Sequence, residues 1–332
     1  MTLRHFCTYF DHRYLVQGLA LYRSLAATCP EFTLWVLALD TAAELSLADA
    51  ALPHLRVVPL GTLENFDPEL HACRNTRSLV EYYFTCSPCL PRYLLQHEPS
   101  IQAITYLDSD LFFYSSPEPL FDELDGSSVG IVPHRFSPRA AQSHARFGRY
   151  NVGWLSFFRN DAGLACLAWW RERCIEWCRD QPEPERYADQ KYLDQFEQLF
   201  ADVHVIAHPG ANLAPWNVAR HVIGLESNNP NVDGQPLVFF HFQGLRRLAG
   251  PIYDSNLGGY GAHLTPVLRE RVFRPYLHAL REAEAITRAI SAPQSNSSGI
   301  RRRAGGLEGL RYTAGRALRA IKAAITGNLV WR

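Results

Sequence analysis

Residues 101–114 read IQAITYLDSDLFFY, and the rest of the chain is organised around them. The apolar run 101–107 has the length and content of a buried strand. It ends in Asp108-Ser109-Asp110, and apolar residues resume at Leu111. An ionised Asp is costly to bury unless it is paired or holds a cation. Hard divalent ions take oxygen ligands, often one or two carboxylates together with substrate phosphates. Open α/β sheets bind ligands at the carboxyl ends of their strands. The stretch therefore points to a metal–diphosphate site, against the plainer reading of a strand end with two solvated acids.

Upstream, residues 3–10 read as a first strand and 14–27 have helical spacing through Leu15, Leu19, Tyr22 and Leu25. Residues 32–39 and 56–60 are further strands, with a weaker helix opened by Asp40-Thr41. Strand–helix alternation implies parallel pairing in a layered α/β sheet. Residues 78–96 are helical in pattern but carry Pro88 and Pro91, where a break is expected. Downstream, 117–124, 161–179, 189–200 and 264–290 read as helices. Residues 128–133, 153–158, 201–207 and 237–242 read as strands. Residues 291–300 are a linker by composition.

The 332 residues are 47% hydrophobic and 20% charged, a globular composition with ample core material. Basic and acidic residues number 33 each, so overall charge gives no argument for nucleic acid. Only Lys191 and Lys322 are lysine, the other basic residues being arginine. The start MTLRHFCTYF has neither a long apolar run nor a small-residue cleavage site. A cytoplasmic protein with reduced thiols is expected. Cys86 and Cys89, and Cys174 and Cys178, read as buried thiols rather than a zinc site. No stretch reaches the length of a membrane span. Residues 301–332 hold eight basic residues against Glu308, with apolar positions at helical intervals. That pattern suits a basic amphipathic tail on an anionic membrane, at the inner face, or a solvated tail.

Four further stretches carry chemistry. In LVFFHFQG (237–244) a buried strand ends near His241, a plausible metal ligand, with Gly244 and the Arg246-Arg247 pair beyond. In YADQKY (187–192) Asp189 and Gln190 sit near a helix start, where an acid serves equally as a cap. Asn151 and Gly153 enter an apolar strand. Thr8, Tyr9 and Asp11 lie at the end of the first strand, with an aromatic suited to stacking on a base.

Taken in order, YLDSDLFF, YNVGWLSFFRND, ADQKYLDQF and HFQGLRR resemble the family 8 glycosyltransferases, across about the first 250 residues. The resemblance implies a GT-A (Rossmann-like) fold, a mostly parallel sheet flanked by helices. Residues 1–290 would form that domain: a nucleotide-binding half (1–115), a sugar and acceptor half (116–250) and a C-terminal helix (251–290). It implies transfer of a hexose from a nucleotide-diphosphate sugar, a UDP-sugar foremost, to a glycan or lipid-linked acceptor, with retention. Asp108, Asp110 and His241 would hold Mn²⁺ or Mg²⁺, with Asp108 also near the ribose. Gly244 and Arg247 match H-x-x-G-x-x-K beside the diphosphate, with Arg in place of Lys. Asn151 and Gly153 would line the sugar, Asp189 and Gln190 would flank it, and Thr8, Tyr9 and Asp11 would hold the nucleoside. Leu248-Ala249 stand where the family has Pro-Trp, and EYYFTCSP offers no counterpart to its donor-contacting Arg. His134 and Trp216-Asn217 are placed to meet an acceptor.

Two other classes compete. A haloacid-dehalogenase-like phosphatase also has a D-x-D after an apolar strand, but Phe112 stands at its Thr/Val position and the motif lies deep in the chain. A sugar-nucleotide-binding protein without catalysis would need less than the full set of polar residues present.

Overall fold

The computed structural model describes residues 2–291, 323–324 and 326–331. The first half alternates as expected: β1 (Arg4–Phe10), α1 (Leu15–Thr28), β2 (Phe32–Ala38), α2 (Thr41–Ala50) and β3 (Leu55–Pro59). Three helices follow, α3 (Leu60–Phe66), α4 (Pro68–Cys73) and α5 (Leu79–His97), before β4 (Ala103–Leu107) and the short β5 (Leu111–Phe113). Then come α6 (Glu118–Glu123), β6 (Val129–Pro133), α7 (Ser143–Phe147), β7 (Tyr150–Phe158), α8 (Asp161–Glu176), α9 (Phe196–Leu199) and β8 (Val203–Val205).

The seven-stranded sheet runs β3-β2-β1-β4-β7-β6-β8. β7 is antiparallel to both neighbours, and the other strands share one direction. The fold is thus α/β with a mostly parallel central sheet. Side chains alternate across it. Cys7, Ile104, Tyr106, Leu155 and Phe157 join α5 and α8 on one face. Phe6, Phe10, Leu107 and Trp154 join α1 on the other. Both faces are covered, which is why the strands read as continuous apolar runs.

α5 runs through Pro88 and Pro91 without a break. The two prolines cost about 3 kcal/mol each in a helix interior. Burial of Tyr82, Leu90, Leu94 and Leu95 returns roughly 1.5–3 kcal/mol apiece. The Ser78–Glu81 capping box fixes the start. α8 stops at Glu176, short of the expected 179, because Trp177 is already extended. The expected helix 189–200 is a 3₁₀ turn over Lys191–Gln195 followed by α9.

Beyond β8 lie a small three-stranded antiparallel sheet, β9 (Ile223–Glu226), β10 (Asn229–Val232) and β11 (Gln235–Pro236), and then β12 (Phe239–His241), β13 (Arg246–Ala249) and β14 (Ile252–Asp254). The expected helix 264–290 is a π-helical segment, Leu268–Phe273, leading into α10 (Arg274–Ser291). The expected linker beyond Ser291 and residues 301–322 of the tail lie outside the described residues. At the tail's far end, β15 (Leu329–Trp331) is a strand paired with β14. Val330 is fully buried against α10 side chains such as Tyr276 and Leu277. No described helix is long and apolar enough to cross a membrane.

Candidate metal and ligand cleft

A cleft of about 660 Å³ opens at the carboxyl ends of β1 and β4. Pairing of β12 with β5 sets its chemistry. His241 pairs with Leu111, and the Phe242 N–H donates to Asp110 O at 3.0 Å. That register brings the imidazole beside the two acids. His241 Nε2 lies 3.1 Å from Asp110 Oδ1 and 3.7 Å from Asp108 Oδ2. One ligand atom from each residue falls within 4.8 Å of the others. Among the described residues this is the one such group of His, Cys, Asp or Glu. All eight cysteines are free and buried.

The surrounding contacts fit a cation. Tyr106 donates its hydroxyl to Asp108 Oδ1 at 2.9 Å, leaving Oδ2 toward His241. His241 Nδ1 lies 3.2 Å from Asn151 Oδ1, so Nδ1 carries the proton when the ring is neutral and Nε2 turns its lone pair toward the two acids. Burial raises the Asp108 carboxyl above the usual range and Asp110 adds to it, while His241 opposes. Burial lowers the His241 pKa, but Asp110 and Asp108 outweigh that and raise it. Two carboxylates and an imidazole held this close can ligate a divalent cation.

Asp189 and Gln190 reach the same cleft from a different element. Asp189 follows Ala188, whose φ of 47° is left-handed and costs about 1–2 kcal/mol in a non-glycine residue. Such strain next to a cleft points to a positional demand. Asp189 is not a helix cap, since no helix begins there. Burial raises its carboxyl to about 7, opposed by a Ser87 hydrogen bond, with Asp108 adding to the rise. The Ser87 hydroxyl is also 3.2 Å from that of Tyr9. Gln190 Nε2 donates to Phe147 O at 2.9 Å, and Asn151 Nδ2 donates to Gln190 Oε1 at 3.0 Å.

Of the sequence candidates, Tyr9, Asp11, Asp108, Asp110, Asn151, Asp189, Gln190 and His241 all line the cleft, as do His134 and Trp216. Five candidates do not. Thr8 is fully buried in β1, on the opposite face from Tyr9, because side chains alternate along a strand. Gly153 lies behind the site, where an added Cβ would sit 2.6 Å from Asn151 Oδ1 and 2.9 Å from His241 Nδ1. Gly244, at φ 75°, lines a separate small cavity with Arg246. Arg247 is turned away, donating to Gly250 O at 2.7 Å and pairing with Glu284 at 3.2 Å. Asn217 is structural: it is fully buried and donates to His134 O and Asn212 O. Burial pushes His134 down to about 3, so it is neutral.

Sequence reading missed Tyr83 and Phe84 of α5, Arg13, Phe147, Tyr187 and Tyr260, all in the cleft wall. Arg13 forms an ion pair with Asp11 and was visible as a base two residues from an acid. The aromatics had no sequence signal, being indistinguishable from core residues until the fold exposed one edge.

The geometry defines a class: an α/β protein whose sheet carries, at its strand ends, a carboxylate–imidazole cluster that could hold a cation. No family model matches the chain. "Uncharacterized protein YfnF" of Bacillus subtilis (strain 168) is 34% identical over 248 residues, 73% of this chain and 81% of that protein. "Uncharacterized protein YfnD" of the same organism is 31% identical over 283 residues, 85% of this chain and 90% of that protein. The chain belongs to the family of YfnF and YfnD. Among solved structures, the galactosyltransferase LgtC in complex with donor and acceptor sugar analogs aligns at 16% identity. Its TM-score is 0.49, over 86% of this chain and 95% of that one. Mouse xyloside xylosyltransferase 1, apo form, aligns at 14% identity with a TM-score of 0.47, over 73% of this chain and 98% of that one.

Proposed function

We propose that this protein is a glycosyltransferase. It moves a hexose from a nucleotide-diphosphate sugar, a UDP-sugar foremost, to a glycan or lipid-linked acceptor. The observation that carries this reading is the meeting of Asp108, Asp110 and His241 in a cleft that Asp189 and Gln190 also line. Those residues lie in three of the four ordered motifs that resemble family 8 glycosyltransferases.

Asp108, Asp110 and His241 would hold Mn²⁺ or Mg²⁺. When bound, such a cation neutralises charge developing on a diphosphate leaving group. Tyr9, Tyr83 and Phe84 provide an aromatic wall for a nucleobase, with Asp11 beside it. Arg247 takes no part in this scheme, because its guanidinium is committed to Glu284.

Asp189 and Gln190 border the space for the transferred sugar, and His134 and Trp216 border the acceptor side. Neutral His134 offers hydrogen bonding without charge, and Trp216 an apolar face. In a retaining transfer the departing phosphate accepts the acceptor's proton, and Asp189 serves to orient the sugar. An inverting transfer would instead use Asp189 as general base, a task for which a carboxyl near 7 is suited. The anomeric configuration of the product separates the two, and retention is the expected result.

The direct test supplies a panel of nucleotide sugars with Mn²⁺ and measures released nucleoside diphosphate. Release should require the cation, and Asp110→Ala should abolish it while circular dichroism stays unchanged. Full release by that variant, or by chelator-treated protein, would remove the cation reading.

A further inference from the structure

We infer that Asn151 is a positioning residue that ties the imidazole of His241 to the amide of Gln190, so that one side chain sets both halves of the site. The inference rests on the cation reading above and adds a residue that would touch neither cation nor leaving group.

Every polar atom of the Asn151 side chain has a partner. Its Oδ1 accepts from Gly153 N–H at 3.1 Å and lies 3.2 Å from His241 Nδ1. Its Nδ2 donates to Gln190 Oε1 at 3.0 Å and lies 3.4 Å from His134 Nε2. The Gly153 donor and the Gln190 acceptor fix which end of the amide is oxygen. An amide oxygen only accepts, so His241 Nδ1 must carry the proton and Nε2 faces the two acids. Gln190 is held as firmly. Its Oε1 also accepts from Val152 N–H at 3.4 Å, and its Nε2 is used by Phe147 O. Asn151 is buried, so little water competes for these bonds. Gly153 is required beneath it, because a Cβ there would displace both Asn151 and His241.

Groups that orient metal-bound histidines typically change metal affinity about 10–100-fold when removed. A misplacement of about 1 Å at a reacting centre costs on the order of 100-fold in rate. Two substitutions separate the two duties. Asn151→Leu removes both the acceptor for His241 and the donor to Gln190. Asn151→Asp is nearly isosteric and keeps an acceptor for His241 Nδ1–H, but loses the Nδ2 donor to Gln190 and its contact with His134, and adds a carboxylate.

The experiment titrates Mn²⁺ into metal-free full-length protein by calorimetry and, separately, measures nucleotide-sugar turnover at saturating Mn²⁺. Asn151→Leu should bind Mn²⁺ about 10–100-fold more weakly than wild type. Asn151→Asp should bind it at least as tightly as wild type, yet turn over on the order of 100-fold more slowly. Wild-type turnover in Asn151→Asp, or weakened Mn²⁺ binding in that variant, overturns the inference. Because Asn151→Asp carries the decision, the outcome stands even if Asn151→Leu fails to fold. Failure of wild type itself to bind Mn²⁺ would overturn the cation reading instead, and is recognisable as such.

Discussion

Asp189→Asn tests the electrostatics of the cleft without any ligand. The Asp189 carboxyl is buried and raised to about 7, against about 3.9 for an exposed Asp. Between those values the folded protein holds a proton that the unfolded chain has lost. Stability therefore falls as pH rises through this window, by about 1.4 kcal/mol per unit. Over the roughly three units the penalty reaches about 4 kcal/mol, fully present above pH 7 and absent below about pH 4. Asn carries no proton to lose. The difference in unfolding free energy, Asp189→Asn minus wild type, should thus start from a fixed offset near pH 4. It should climb by about 4 kcal/mol toward pH 8, in favour of the variant. Taking the difference cancels the titrating groups that do not interact with Asp189; Asp108, which does, contributes to the same rise. The assay is urea unfolding followed by fluorescence at several pH values, with chelator present so that no cation screens Asp108. A difference that stays flat with pH, or falls, would refute the claim that burial holds this carboxyl protonated.

Two further outcomes follow from packing. Gly153→Ala should cost about 1–3 kcal/mol in urea unfolding, because its Cβ would press on Asn151 and His241; an unchanged midpoint would mean that the contact relaxes freely. Deleting residues 323–332 should destabilise the protein by roughly 3 kcal/mol or more. It exposes the apolar surface around Val330 and leaves the Leu264 N–H without its acceptor, Asn328 Oδ1 at 3.1 Å; an unaltered melting temperature would show the segment to be dispensable.

The sequence determined the alternating α/β order, the strand that ends in Asp108-Ser109-Asp110, and the residue types able to bind a cation. It could do so because a strand buried on both faces is a short apolar run, and charged residues that interrupt such runs stand out. It did not carry α5 through Pro88 and Pro91, because the helix survives on the burial of its face against α8 and the sheet, which no local pattern records. Nor did it distinguish Arg247 from a cleft residue: the motif is correct in spacing, but Glu284 of α10 claims the guanidinium. Tertiary structure alone decided that the β5–β12 register brings His241 to the acids. It also decided that Asn151 spans from that imidazole to Gln190, and that the chain's far end closes on β14. Each is a pairing between distant segments, fixed by hydrogen-bond register and shared burial, and neither quantity is written in any one stretch of the chain.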